Sequence, residues 1–480
     1  MSVNKNQSAR LIRAVRSAVT VGAMLAALGG CYSYRPDRVA NPVTMPPAWD
    51  FQDNAATAVP VQPEWWTAFG SPVLNDLIAQ ALRDNPGIIA TEERLKQAER
   101  AFSQGRDALF PEIRLSGSTS VGSSGGTGLA QATDERTANL SLSAGYDVDL
   151  WGGAAARFRA QVAQFVGTQY DADLAHTELA AQVARAYFSL LSIRSRVNIA
   201  RENLAIAEEV LRIQRVRYEN DVLRQFDLTQ QTTQVLTQRT QLIPLENSMR
   251  QAETALGLLL GRTPQEFRIE GEPIDQLQVP EIAPWVPSEL LLRRPDMAAA
   301  ETDMWAANAN LSAARAALIP VTVQLSATGN QIGDNTALFS LTDARTFSLQ
   351  GVLSIAEGIF SFRQKRNAVL NAESNEYITL INYAQTIRTA LKEVDDTLAT
   401  ANANLRTEEA LRETLANTRR ALELAQVELR EGSGSQQDLL DAQRSLFTAE
   451  DSLAQSRLTR LNTAVQLYQA LGGGWTHPDP

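Results

Sequence analysis

The sequence predicts a mainly helical chain that also carries strands of a membrane β-barrel, and three observations predict it. Residues 152–219 and 361–431 contain no proline and, past the first two residues, a single glycine, Gly167. They are rich in Ala, Leu, Glu, Arg and Gln, so both read as very long helices. Four other segments alternate apolar and polar residues with a period of two, the pattern of strands with one apolar face. The whole plan occurs twice in the chain, and such repetition outranks any local signal.

The first thirty residues read as a targeting segment. Lys5, Arg10, Arg13 and Arg16 precede an apolar run from Ala18 to Leu28, too short to span a membrane and typical of a secretory signal. Leu28-Gly29-Gly30-Cys31 resembles a bacterial lipobox, which implies cleavage before a lipidated Cys31. Tyr32 follows where an aspartate would retain the protein at the inner membrane, so the resemblance implies export to the outer membrane and anchoring there. An ordinary cleaved signal is the alternative. Cys31 is the only cysteine, so no disulfide forms within one chain. The formal net charge is −10, and loss of the four leader cations brings it to −14, which argues against nucleic acid as a partner.

The repeat is legible residue by residue. Asn85-Pro86 through Leu109-Phe110-Pro111 align with Arg294-Pro295 through Leu318-Ile319-Pro320 at an offset of 209. Farther on, the offset is 211: Arg201-Glu202-Asn203-Leu204 meets Arg412-Glu413-Thr414-Leu415, and Leu260-Gly261 meets Leu471-Gly472. The expected organisation is a signal peptide over 1–30, a lipid-anchored equatorial segment over 31–70 and repeat 1 over 71–261. An equatorial linker over 262–285, repeat 2 over 286–472 and a tail over 473–480 complete it.

In the strands, Ile113, Leu115, Gly117, Thr119 and Val121 alternate with Glu112, Arg114, Ser116, Ser118 and Ser120, predicting a strand over about 112–121. Ala138, Leu140, Leu142, Ala144, Tyr146 and Val148 do the same over about 136–148, and segments 321–330 and 345–355 repeat the pattern. Each approaches the roughly nine to eleven residues of a tilted membrane strand. Four strands cannot close a barrel, and open edges in lipid leave backbone groups unpaired, so the barrel must be shared between chains. Two chains would give eight strands and a filled interior; three would give twelve and a channel.

In the helices, Leu204, Leu211 and Tyr218 recur every seven residues, as do Leu228, Val235 and Leu242. Leu415, Leu422 and Leu429, then Leu439, Leu446 and Leu453, repeat both series. A strict seven-residue spacing predicts supercoiled helices packed through a narrow seam, forming long hairpins over 152–260 and 361–471. At 1.5 Å per residue each long helix would reach about 100 Å. Pro244 should kink or interrupt the second helix of the first hairpin.

These residues also carry a family resemblance. Trp65-Trp66 with Phe69-Gly70, Asp147-Val148-Asp149-Leu150-Trp151-Gly152, Asp438-Leu439-Leu440-Asp441-Ala442-Gln443-Arg444-Ser445-Leu446-Phe447 and Ala470-Leu471-Gly472-Gly473-Gly474-Trp475 appear in the order found in TolC-like outer membrane factors. The chain resembles in particular the lipoprotein branch serving resistance-nodulation-division (RND) efflux pumps. The resemblance implies a homotrimer with a twelve-stranded barrel and a helical tunnel, working with a periplasmic adaptor and an inner-membrane RND-type pump. It also implies adaptor contacts at the hairpin tips, here Asp221, Val222, Gly432 and Ser433. Copy one has Asp221 where the family usually has glycine. The resemblance further implies a periplasmic gate at Asp438, Asp441 and Leu429, with possible cation binding at the two aspartates. Three-fold symmetry would stack them into two rings, where repulsion should raise their pKa values. Leu429 and Gly434 stand where better-known members have a tyrosine and an arginine that tie the tip closed.

Nothing in the sequence points to catalysis. Only His176 and His477 are available, and no glycine-rich loop leads from a strand into a helix. No cofactor is expected. An efflux exit duct, a type I protein-secretion duct and a non-conducting coiled-coil tether all fit the long helices; the alternating strands disfavour the tether.

Overall fold

The computed structural model describes residues 43–49, 61–124, 133–263, 265, 267–282, 287–319, 321–334, 345–355, 359–431 and 433–477. The expected signal segment, Cys31 and Gly432 lie outside the described residues.

In chain order, helices α1 (Pro72–Asp84) and α2 (Pro86–Asp107) lead into strands β1 (Glu112–Ser124) and β2 (Thr133–Val148). The long helix α3 (Gly153–Glu219) and its partner α4 (Gln225–Leu259) follow. The order then recurs as α5 (Pro295–Ala317), β3 (Val321–Asp334), β4 (Arg345–Ile355), α6 (Ile359–Glu431) and α7 (Gln436–Ala470). Helices α1, α2 and α5 all begin with proline, whose fixed φ suits a first helical position and whose missing N–H is no loss there. Ser71 and Asn85 cap α1 and α2 by accepting hydrogen bonds from Leu74 N–H and Gly87 N–H.

The four strands form one antiparallel sheet in the order β1-β2-β3-β4. Its register puts every expected apolar set on one face. Ile113 pairs with Ala144, Ala144 with Ala327, and Ala327 with Leu349, while the next row holds Arg114, Ser143, Thr328 and Ser348. A slip of one residue anywhere would mix the two faces. Ile113, Leu115, Phe347 and Leu349 are two-thirds or more exposed in the single chain. No described helix is long and apolar enough to cross a membrane.

Below the sheet, α2 packs on α3, α3 on α5, and α5 on α6. The helical layer therefore has the order α2-α3-α5-α6, matching the strands to which those helices connect. Farther along, α3 pairs with α4, α6 with α7, and α7 also packs along α3. Leu211 and Val235 bury against each other with Leu204 and Leu228 alongside, and Leu422, Leu439 and Leu446 form the matching cluster in the second hairpin. Tyr218 is exposed rather than part of the seam.

Helix α4 runs without a break through Pro244, so of the kink or interruption expected there the interruption does not occur. Pro244 and Thr240 both lie on the exposed face, so the Thr240 carbonyl left without its helical partner can be hydrated.

The main core lies part-way down the helices, where 61–70 and 267–282 wrap α1, α3, α6 and α7. Trp65 stacks on Tyr468 at 5.1 Å, and Phe69 tilts onto Phe188 at 5.0 Å. Polar ties secure the wrapping segments: Gln278 N–H donates to the Phe69 carbonyl at 3.0 Å, Arg194 to the Ile269 carbonyl at 2.6 Å, and Arg457 to the Leu277 carbonyl. The two copies share one close approach. Gly261, with φ +69°, lies against the Asp84 carbonyl, and Gly472, with φ +89°, lies against the Arg293 carbonyl. A Cβ would stand 2.4 Å and 1.7 Å from those oxygens, so both backbone angle and space demand glycine.

Candidate functional site at the hairpin tips

The two tips close by different chemistry. At the first, α3 ends in a Schellman-type turn: Val222 N–H donates to the Arg217 carbonyl at 2.8 Å and Asp221 N–H to the Tyr218 carbonyl at 3.0 Å. Asp221 takes the left-handed position with φ 60°, the one described non-glycine residue to do so. Asn220 Nδ2 donates to the Val216 carbonyl at 2.7 Å and satisfies another end carbonyl. Arg224 then grips Asp227 through two hydrogen bonds of 2.9 Å in the first turn of α4. Val222 and Phe226 are left about two-thirds exposed.

At the second tip, the N–H groups of Ser433 and Gly434 both donate to the Glu428 carbonyl at 3.0 Å. A Cβ on Gly434 would lie 2.9 Å from Glu428 Cβ and 3.0 Å from Leu429 N, so the turn needs glycine for space. Ser435 opens α7 with a capping box. Its hydroxyl accepts from Asp438 N–H at 3.1 Å and donates to Asp438 Oδ2 at 2.5 Å, while its N–H donates to the same carboxylate at 3.1 Å. The Ser435 hydroxyl, and then its N–H, hold the exposed Asp438 carboxyl below the ordinary aspartate value. Within one chain this is opposite to the upward shift expected for stacked rings, which needs neighbouring copies. Asp441, one turn on, accepts from Gln437 Nε2 at 3.0 Å and pairs loosely with Arg444 at 3.5 Å. Leu429 is partly buried against the Leu422, Leu439 and Leu446 cluster.

Asp438, Asp441, Leu429 and Ser433 thus gather at one tip, whereas Asp221 and Val222 form the other. The tips are tied side to side: Gln230 Nε2 donates to Gln437 Oε1 at 2.9 Å, and Gln436 Nε2 to Gln231 Oε1 at 3.3 Å. Sequence reading missed these glutamines because a polar residue on a helix is ordinarily a solvated one. Among the described residues no group of His, Cys, Asp and Glu could hold a metal ion.

A family model described as "Outer membrane efflux protein" matches residues 77–262 and 286–473. The chain belongs to that family. This outer membrane efflux protein is 31% identical over 458 residues to the pyoverdine export outer membrane protein OpmQ of Pseudomonas aeruginosa, covering 93% of this chain and 95% of that one. It is 28% identical over 455 residues to the probable outer membrane lipoprotein SilC of Salmonella typhimurium, covering 93% and 96%. Its fold matches the CmeC outer membrane channel of Campylobacter jejuni with a TM-score of 0.82 at 18% identity, over 93% of this chain and 96% of that one.

Proposed function

We propose that this protein is the outer-membrane exit duct of a tripartite efflux pump, passively conducting drugs or other small molecules received from a periplasmic adaptor and an inner-membrane RND-type pump. Three copies close a twelve-stranded barrel continued by a helical tunnel, and each copy contributes two structural repeats. Cys31 carries the lipid anchor in the outer membrane. Asp221, Val222, Gly432 and Ser433 meet the adaptor, while Asp438, Asp441 and Leu429 line the periplasmic gate.

One observation carries this reading: sheet and helical layer run in the same order and both end open. Among the described residues β1 and β4 are edge strands, and α2 and α6 stand at the corresponding ends of the helix layer. An open edge in lipid costs several kcal/mol for each unpaired group, about as much per group as a whole mutation normally shifts stability. Pairing β4 of one copy with β1 of the next, and α6 with α2, repeats head to tail and closes into a ring. The exposed stripe of Leu370, Tyr377, Ile378 and Ile381 on α6 is then covered by the neighbouring copy. Three copies are favoured over two, because eight strands leave a lumen that side chains fill.

Native mass spectrometry in mild detergent should show a trimer. Deletion of the gene should raise susceptibility to pump substrates, and the intact gene should restore resistance. Monomers only, or restoration by a chain unable to form the ring, would refute the proposal.

A further inference from the structure

Five glutamines are buried where the first hairpin meets α7 near the tips. Gln231, Gln234 and Gln238 lie at i, i+3 and i+7 on one face of α4, positions that a coiled-coil seam ordinarily fills with leucine. Gln214 lies one turn from Val210 on α3, and Gln443 lies between Leu439 and Leu446 on α7. Val210 packs against the cluster holding those two leucines, so α3 and α7 meet within about a turn of each glutamine. All five are at most 6% exposed within a single chain.

Their amides are incompletely satisfied. Gln231 donates to the Ala207 carbonyl at 3.0 Å and accepts from Gln436, and Gln234 Oε1 accepts from Arg444 at 3.4 Å. Gln214 and Gln443, however, have neither amide atom hydrogen-bonded, and the Gln238 oxygen is also unpartnered. Buried polar atoms almost always find a protein group or an ordered water. The second hairpin provides the contrast at the same height, since Leu415, Leu422, Leu439 and Leu446 make its own pairing dry.

We propose that this junction is a water-binding site: a hydrated seam in which ordered water satisfies the buried amides of Gln214, Gln238 and Gln443. Five orphan atoms suit about two waters, each making two to four hydrogen bonds. The seam favours the native pairing of the hairpins, because an alignment without that water would leave the amides buried and unpaired, and a leucine seam would not discriminate in this way. It also makes this junction open to solvent more readily than the dry pair beside it. All the residues belong to one chain, so the inference does not depend on the efflux reading.

Two measurements on the full-length protein test it. An experimental map at a resolution that reveals solvent should show water within hydrogen-bonding distance of Gln214 and Gln443; a dry seam overturns the proposal. In hydrogen exchange, residues 207–214 should exchange at least tenfold faster than residues 418–425, their counterparts in the second repeat, which lie against dry leucines. The double variant Gln214→Leu with Gln443→Leu should narrow that difference at least threefold. Gln→Met at both positions, closer in shape, serves if the leucine pair fails to fold. Equal exchange in the native protein, or faster exchange in the variants, would show that protein groups, not water, satisfy the amides; if neither pair of variants folds, the experimental map alone decides.

Discussion

At the scale of the residue, the tips show how a position can keep its geometry while changing its chemistry. Asp221 adopts the left-handed backbone that glycine fills without cost, because a short polar side chain tolerates it better than most. Asp221→Gly should leave the turn intact or stabilise it by up to about 1 kcal/mol, and Asp221→Val should destabilise it by about 1–2 kcal/mol. Hydrogen exchange over residues 214–226 would register both changes. Ser435→Ala should cost α7 about 1 kcal/mol by removing its capping hydroxyl. The same cap sets an acid response. Asp438 has a folded value below the ordinary 3.8, so its contribution is complete above pH 3.8 and is lost as pH falls through the lower folded value. Protection of the first turn of α7 should therefore fall in that acid range, and the Ser435→Ala variant should show a smaller change.

At the scale of the element, long helices need fixing at points along their length, and one such point was not apparent from sequence. Glu408 on α6 is 1% exposed and meets Arg412 at 2.5 Å, Arg460 at 2.9 Å and Arg457 at 3.3 Å. Arg457 also reaches the Leu277 carbonyl, so the cluster joins α6, α7 and the wrapping segment. Removing one partner of a buried ionic cluster leaves the others desolvated and unpaired. Glu408→Ala should lower stability by about 3–5 kcal/mol, seen as a lower Tm of the purified protein. In the sequence Glu408 is one acid among many on a charged helix. Its burial depends on α7 and residues 267–282 lying over it. The strands were more legible, because a period of two leaves little freedom once one face must be apolar. Their lengths were read short by three residues at Ser124, three at Thr133 and four at Asp334, where glycine and polar residues obscure the alternation.

At the scale of the whole molecule, matching open edges in sheet and helix layer give the proposed ring its direction of closure. Six carboxylates from Asp438 and Asp441 would then face one axis. Replacing both by alanine should weaken block by multivalent cations and reduce cation preference in planar-bilayer recordings. Unchanged block and selectivity in a correctly assembled channel would remove these residues from the entrance. The Ser435 bonds to Asp438 bear on the outcome: they favour the ionised carboxylate and so oppose the upward shift that like charges would impose.

The sequence by itself determined the element order, the strand faces, the extent of the long helices and the membership of an efflux family. All of these follow from patterns along the chain, either periodicity or ordered motifs. The tertiary structure decided what depends on residues far apart in sequence. It made α4 continuous through Pro244, because the turn affected by the proline faces outward. It gave Asp438 to the cap of α7, and it showed why Gly472 must be glycine, since the Arg293 carbonyl occupies the space a side chain would need. It also buried five glutamines that a helical pattern assigns to solvent. Periodicity tells which side of a helix is polar. Only packing tells whether that side meets water or another helix.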